Sequence, residues 1–131
     1  MPHRLLVVDD DPFFRRIVQG IFTPPDYQVT EAVDGVDGLE KVNADPPEVI
    51  LLDIVMPVLD GYQVFQALKD HPTANTIPVI FVTGKTEDEV NRLAYRAAAF
   101  ACIPKPVRWE ALLATVELAL LQAGRRTTHP A

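Results

Sequence analysis

Short apolar runs alternate along the chain with longer segments whose apolar residues recur every three or four positions. The runs at 5–8, 49–52 and 77–82 contain almost no polar residues, which is typical of strands buried on both faces of a parallel sheet. Residues 27–32 alternate between apolar and polar side chains, which predicts a strand nearer the sheet edge. A fifth short strand is predicted over residues 99–103.

Helical periodicity occupies the intervals between these strands. The predicted helices cover residues 12–22, 36–43, 62–70, 86–97 and 107–124. Five strands alternating with five helices, joined by short connections, predict an α/β fold. The sheet is expected to be doubly wound and parallel, with helices on both faces and right-handed crossovers.

Five polar residues follow the carboxyl ends of four predicted strands, and they are Asp9, Asp10, Asp53, Thr83 and Lys105. In a doubly wound sheet these strand ends share one crevice, where such folds bind ligands. We therefore expect the five side chains to converge on one site.

Three carboxylates in one crevice repel each other unless a cation lies between them. Mg²⁺ prefers oxygen ligands and is usually held by one or two carboxylates, so Asp9, Asp10 and Asp53 fit a magnesium site. Carboxylates also act as nucleophiles towards phosphorus, and a lysine and a hydroxyl suit phosphate oxygens. The residues alone thus predict Mg²⁺-assisted phosphoryl transfer to Asp53. A plainer interpretation of the acids before the first helix, above all Asp11, is charge at a helix N-terminus.

Composition narrows the function classes. A chain of 131 residues is one domain, and its net charge of −6 argues against a nucleic-acid surface or an anionic membrane as partner. No apolar run approaches the roughly 20 residues of a membrane span, and the single cysteine cannot form an internal disulfide. We expect a cytoplasmic protein with one domain over residues 1–124 and a flexible tail over residues 125–131.

The motifs together resemble a two-component response-regulator receiver domain of the stand-alone, chemotaxis-receiver-like kind. The resemblance covers about residues 4–123 and is carried by Leu6-Val7-Val8-Asp9-Asp10-Asp11-Pro12, Leu51-Leu52-Asp53-Ile54-Val55-Met56-Pro57, Asp60-Gly61, Val82-Thr83-Gly84 and Lys105-Pro106. It implies a flavodoxin-like (βα)5 fold with strand order 2-1-3-4-5.

The resemblance also implies roles for individual residues. Asp53 would accept a phosphoryl group from a sensor histidine kinase or a histidine phosphotransfer protein. Asp10, Asp53 and the backbone carbonyl of Val55 would bind Mg²⁺, with Asp9 acting largely through water. Thr83 and Lys105 would contact the phosphoryl group. The chain would then signal to a downstream protein target by a conformational change, without acting as an enzyme on other substrates.

Two positions depart from the family pattern or affect its chemistry. Cys102 stands where the family has its switch aromatic, and we expect Phe100, two residues earlier, to lie on the same face of the strand. We therefore expect a muted or altered output surface. Val55 cannot hydrogen-bond an attacking water, which predicts slow loss of the phosphoryl group from Asp53.

Two alternative functions stay open at this stage. A constitutive protein-binding module would keep the receiver fold without using phosphate. A haloacid-dehalogenase-like phosphatase also forms an aspartyl phosphate, but it needs a second aspartate where this chain has Val55. In the last helix, Trp109, Leu112, Leu113, Val116 and Leu120 are expected to face the core. Leu118 and Leu121 point away from that stripe. They are either isolated surface leucines, which need no explanation, or the site of a partner or weak dimer contact.

Overall fold

The computed structural model describes residues 1–84 and 99–128. Its elements in chain order are β1 (His3–Val8), α1 (Pro12–Ile21), β2 (Tyr27–Ala32), α2 (Gly35–Ala44), β3 (Val49–Leu52), α3 (Gly61–Asp70), a 3-10 turn (Ala74–Thr76), β4 (Val79–Thr83), β5 (Ala101–Pro104) and α4 (Trp109–Thr128). The helix predicted over residues 86–97 lies outside the described residues.

The five strands form one parallel sheet in the order β2-β1-β3-β4-β5, which confirms the predicted fold class. The register aligns the last residues of neighbouring strands, since Val8 pairs with both Ala32 and Leu52. Thr83 at the end of β4 pairs with Pro104 at the end of β5. The residues that follow the strands therefore meet at one edge of the sheet, as the sequence predicted.

Two apolar clusters hold the sheet, and alternation along the strands sends successive side chains to opposite faces. One cluster contains Leu6, Val8, Leu52, Phe65 and Phe81, and the other contains Leu5, Val7, Leu51, Val82 and Leu112. All four side chains of β3 are fully buried. Burial of an aliphatic side chain contributes about 1.5–3 kcal/mol, so β3 is firmly fixed at the centre of the molecule.

Aspartates begin three of the helices. Asp11 caps α1 and accepts a hydrogen bond from the backbone N–H of Phe13 at 2.9 Å. Asp34 caps α2, and Asp60 forms a reciprocal capping box with Gln63 at the start of α3. Such caps typically stabilise a helix by about 1 kcal/mol. For Asp11 the plainer interpretation, a structural acid at a helix N-terminus, is correct.

The last helix differs from expectation at both ends. Leu112, Val116 and Ala119 form the buried line, but Trp109 is 56% exposed. Helical side chains point towards the N-terminus, so a side chain at the first position projects beyond the helix end and not onto the sheet. The helix also continues to Thr128, whereas its end was expected at residue 124, because a glycine weakens a helix without necessarily ending it.

Leu118 and Leu121 lie on the outer side of α4 and are 59% and 58% exposed, as their spacing predicted. Among the helices in the described part of the chain, none has the length and apolar character needed to cross a membrane.

Candidate functional site

Three carboxylates cluster at the carboxyl edge of the sheet. Asp9 directly follows β1, Asp53 directly follows β3, and Asp10 extends from the loop that leads to α1. One carboxylate oxygen from each lies within 4.8 Å of the others. Asp9 and Asp53 are buried, at 1% and 6% exposure, whereas Asp10 is exposed. The predicted convergence of the three acids is therefore present, with Asp10 on the solvent side.

The backbone around Asp53 is held from both sides. Its N–H donates to the carbonyl of Val8 at 3.0 Å, which continues the pairing of β1 with β3 by one residue. On the other side, the N–H of Gly61 donates to the carbonyl of Ile54 at 2.8 Å. A Cβ atom at Gly61 would overlap the backbone carbonyl of Asp53. Only glycine permits this close approach, which places the start of α3 against the Asp53 main chain.

Both carboxylate oxygens of Asp9 accept hydrogen bonds from the protein. Its Oδ2 accepts from the Nζ of Lys105 at 2.7 Å, and its Oδ1 accepts from the backbone N–H of Asp11 at 2.9 Å. The ammonium of Lys105 also lies 4.6 Å from the centre of the Phe14 ring, a favourable cation–π distance. A backbone bond from the N–H of Lys105 to the carbonyl of Thr83, at 2.8 Å, attaches this loop to β4.

The carboxyl group of Asp53, unlike that of Asp9, has its charged form disfavoured by its surroundings. Burial, helped by the negative charges of Asp9 and Asp10, raises its pKa from 3.8 to about 6. The charge of Lys105 and a hydrogen bond from the backbone N–H of Val55 act in the other direction but are outweighed. Asp53 is therefore ionised at neutral pH, but its negative charge is poorly compensated by the protein.

The donor set fits a magnesium ion. All three candidate side-chain ligands offer hard carboxylate oxygens, and among the described residues no nitrogen or sulfur ligand joins the group. A bound divalent cation would supply the compensation that the charge of Asp53 lacks. Both the chemistry and the spacing of the acids are thus suited to Mg²⁺.

Thr83 and Val55 occupy the remaining predicted positions. Thr83 ends β4 and is fully buried, in register with the strand that leads to Lys105. Val55 lies two residues after Asp53, and its side chain is 57% exposed. The Lys105–Pro106 peptide bond is cis. Every residue predicted for the site therefore lies at this edge of the sheet or in the loops that leave it.

The prediction that Phe100 and Cys102 share a face is wrong. Cys102 packs against the cluster that contains Phe81, whereas Phe100 packs against the opposite cluster. The strand begins only at Ala101, so the alternation assumed between residues 100 and 102 does not hold. Burial raises the pKa of the Cys102 thiol to about 11, which leaves it protonated at neutral pH.

Sequence reasoning missed three contributors to the site. Phe14 lies in the core, and its ring also contacts the ammonium of Lys105. The side chain of Arg15 is only 14% exposed and binds Glu31 and the backbone carbonyl of Asp9. Gly61 permits the close approach of α3 to the Asp53 main chain. The glycine after Asp60 was visible in the sequence as a signal of a close approach. The helical period, in contrast, does not indicate that Phe14 or Arg15 contacts the site.

Comparison with known proteins identifies the family. Residues 5–117 match the response regulator receiver domain. Protein PilH of Pseudomonas aeruginosa is 35% identical over 117 residues, which cover 89% of this chain and 97% of PilH. Response regulator PleD of Caulobacter vibrioides is 42% identical over 83 residues, or 63% of this chain, but these cover only 18% of PleD. The chain thus spans less than a fifth of that relative.

The fold comparison agrees. The chemotaxis protein CheY4 of Vibrio cholerae has a TM-score of 0.84 and 28% identity, covering 92% of this chain and all of the CheY4 chain. Receiver domains are generally non-enzymatic signalling modules that interact with histidine kinases or phosphotransfer proteins and with downstream targets, and they bind Mg²⁺ at an acidic cluster. By this match along most of its length, the chain belongs to the response regulator receiver domain family of two-component systems.

Proposed function

We propose that this protein is a phosphorelay response regulator that accepts a phosphoryl group on Asp53 and signals to a protein partner by a conformational change. The observation that carries the proposal is the contrast within the acidic cluster. Each carboxylate oxygen of Asp9 accepts a hydrogen bond, while buried Asp53 keeps a poorly compensated charge within 4.8 Å of two other carboxylates. A carboxylate in that state is available as a nucleophile.

The proposed transfer starts from a phosphohistidine of a kinase or phosphotransfer protein. A carboxylate oxygen of Asp53 attacks the phosphorus, the phosphorus–nitrogen bond breaks, and the donor imidazole leaves with the electron pair. Asp53 must be ionised for this step, and a pKa of about 6 satisfies that condition at neutral pH. An acyl phosphate forms, and no oxidant, reductant or further reactant is needed.

The neighbouring residues divide the remaining work. Asp10, Asp53 and the backbone carbonyl of Val55 would hold Mg²⁺, with Asp9 contributing through water. The ion, when bound, would neutralise charge on the transferred oxygens. The ammonium of Lys105, which binds Asp9, would also donate a hydrogen bond to a phosphoryl oxygen. The hydroxyl of Thr83 would donate to another phosphoryl oxygen.

The test is incubation of the protein with Mg²⁺ and phosphoramidate, followed by intact-mass measurement. We expect one phosphoryl adduct that requires Mg²⁺ and is lost in Asp53→Asn. Asp11→Asn is the matched control: it makes the same chemical change at a neighbouring acid, and asparagine caps a helix as well as aspartate does. That variant should form the adduct as the wild type does.

A wild type that binds Mg²⁺ but forms no adduct would contradict the proposal. It would favour the alternative function, a constitutive protein-binding module. Cys102 is the observation behind that alternative, because the family's switch aromatic is absent at this position and Phe100 lies on the other face of the sheet. A haloacid-dehalogenase-like phosphatase has no such support in a chain of the receiver family.

A weak dimer through Leu118 and Leu121 is a second part of the proposal, supported by their exposure on adjacent turns of α4. Replacing both by glutamate should abolish self-association in sedimentation velocity without changing the adduct at Asp53. Identical sedimentation of wild type and variant as monomers would contradict this contact. A cytoplasmic location, without nucleic-acid or membrane partners, remains a prediction from composition.

A further inference from the structure

Arg15 connects the acidic site to the edge of the sheet. From α1, its Nη1 donates to the backbone carbonyl of Asp9 at 2.7 Å, and its Nε donates to Oε1 of Glu31 at 2.9 Å. The side chain is only 14% exposed. One guanidinium therefore joins the loop that carries Asp9 and Asp10 to the carboxyl end of β2.

Glu31 is itself held in place. Its second carboxylate oxygen accepts from the side-chain amide of Gln19 at 3.1 Å, and its backbone carbonyl accepts from Nζ of Lys41 at 2.7 Å. In the sheet, Glu31 is paired in register with Val7 of β1. Arg15 thus binds a residue that is held by three other contacts. The guanidinium is therefore fixed in position where it meets the backbone carbonyl of Asp9.

Asp9 completes the arrangement. Its N–H donates to the carbonyl of Ala32 at 3.2 Å, and its two carboxylate oxygens are taken by Lys105 and the N–H of Asp11. The backbone carbonyl is the remaining polar atom of the residue, and Arg15 occupies it. The peptide that joins Asp9 to Asp10 starts at this carbonyl, so its orientation sets the direction from which Asp10 approaches the cluster.

We infer that Arg15 is a positioning residue that holds Asp9 and Asp10 in the geometry needed to bind a divalent cation. The inference rests on the proposed function for its biological purpose, but it concerns cation affinity and can be tested without phosphorylation. Residues one step behind metal ligands typically alter affinity about 10- to 100-fold when they are removed. Since Arg15 contacts the ligand segment through the backbone, we expect an effect at the lower end of that range.

Electrostatic repulsion alone predicts the opposite change in cation affinity. Arg15 is a cation beside a cation site, so removing its charge should strengthen binding if its only influence were long-range repulsion. Positioning instead predicts weaker binding in Arg15→Gln. Arg16 offers the matched control because it is the next residue of α1, carries the same charge and is exposed.

Mn²⁺ is a suitable probe, and its free fraction can be measured by electron paramagnetic resonance. We expect Arg15→Gln to bind Mn²⁺ about tenfold more weakly than the wild type, and Arg16→Gln to bind within about twofold of it. Unchanged or tighter binding by Arg15→Gln would overturn the inference. So would an equal loss in both variants, because that would indicate an effect of net charge.

Two conservative variants separate geometry from charge and serve if Arg15→Gln does not fold. Arg15→Lys keeps the charge, but a single ammonium cannot replace the planar fork that reaches two partners. We expect Arg15→Lys to lose several-fold in Mn²⁺ affinity. Glu31→Gln keeps an oxygen acceptor for Nε but removes the ion pair with Arg15, so we expect a smaller loss of Mn²⁺ affinity than in Arg15→Lys, and a larger loss would overturn the bridging role. Wild-type affinity in Arg15→Lys would overturn the bridging role.

Phosphorylation provides an independent readout. With phosphoramidate as donor, the Mg²⁺ concentration for half-maximal rate should rise about tenfold in Arg15→Gln, while the rate at saturating Mg²⁺ stays within about threefold. A lower rate at saturation with an unchanged Mg²⁺ requirement would overturn the inference. If even the wild type forms no adduct, the proposed function fails, but the Mn²⁺ measurement still decides the role of Arg15.

Discussion

The ends of β1 and β3 carry the same residue type in nearly the same burial, yet they differ in chemistry. At the end of β1, Asp9 has an ammonium on one oxygen and a backbone N–H on the other. At the end of β3, Asp53 has a pKa raised to about 6, because burial and two neighbouring acids outweigh its few favourable contacts. The difference indicates that Asp9 stabilises the structure of the site, whereas Asp53 keeps a carboxylate that is available for reaction.

The largest expected effect comes from removing the partner of Asp9. Lys105→Ala leaves a carboxylate that is 1% exposed without its cation. Breaking a buried pair from one side typically costs about 3–5 kcal/mol, and the 23% exposure of the Lys105 side chain places this pair at the lower end of that range. We expect a loss of roughly this size in urea unfolding. The double variant Asp9→Asn with Lys105→Ala should recover most of the loss, because no uncompensated charge remains. A double variant as unstable as Lys105→Ala alone would contradict the pairing.

In metal-free buffer, Asp53→Asn should instead raise the free energy of unfolding. In the unfolded chain Asp53 titrates near 3.8, and in the folded protein near 6, so folding disfavours its charged form. The wild type therefore loses stability as pH rises from about 4 to 6, by up to about 3 kcal/mol for a shift of about two units.

Urea unfolding of both proteins in EDTA measures this difference. The advantage of Asp53→Asn should be full above pH 7 and disappear below pH 4, since both proteins are then neutral at this position. Adding Mg²⁺ at pH 7.5 should reduce the advantage by stabilising the wild type. An advantage independent of pH would show that the charge of Asp53 is not its source.

Gly61→Ala tests how closely the end of β3 is confined. The added methyl group would meet the Asp53 carbonyl and the Cα of Ile54, and such overpacking typically costs about 1–3 kcal/mol. We expect about 2 kcal/mol in urea unfolding and slower adduct formation. Gly20→Ala is the matched control, because a Cβ at that helical position meets no atom within 4 Å. Equal stability of the two variants would contradict the close approach.

The smallest effect concerns the lifetime of the phosphoryl group. Val55 lies two residues after Asp53 and carries no hydrogen-bonding side chain. Val55→Asn should orient an attacking water and speed decay of the adduct about fivefold, which corresponds to about 1 kcal/mol of activation free energy. The decay is followed by intact mass after removal of the donor. An unchanged half-life would exclude shielding by Val55.

Much of this site could be predicted because it depends on topology. Parallel strands fix which chain ends meet, so Asp9, Asp53, Thr83 and Lys105 converge once the strands are recognised. β2 was predicted with its observed bounds, since the alternation that begins at Tyr27 is typical of an edge strand. Asp10 and Val55 follow directly from their positions next to these strand ends.

What escaped prediction depends on side-chain direction at element ends. Trp109 fits the helical period but lies at the first position of α4, and Phe100 fits the strand period but precedes β5. Arg15 lies at the margin of the buried face of α1, where periodicity does not distinguish a solvated cation from one that reaches a backbone carbonyl. Such contacts depend on the distance between two elements, which a linear pattern does not contain.

The complete burial of β3 has a consequence for local opening. Its backbone amides lie between two neighbouring strands and beneath two apolar layers, so they should exchange with solvent deuterium only through global unfolding. Asp53 follows the last of these residues, and four positions later the chain enters the Pro57–Asp60 loop, in which Pro57 and Val58 are solvent-exposed. The proposed phosphoryl acceptor therefore lies on a sharp boundary in protection, and deuterium uptake across residues 49–60 would map how far a modification spreads from the rigid side to the loop.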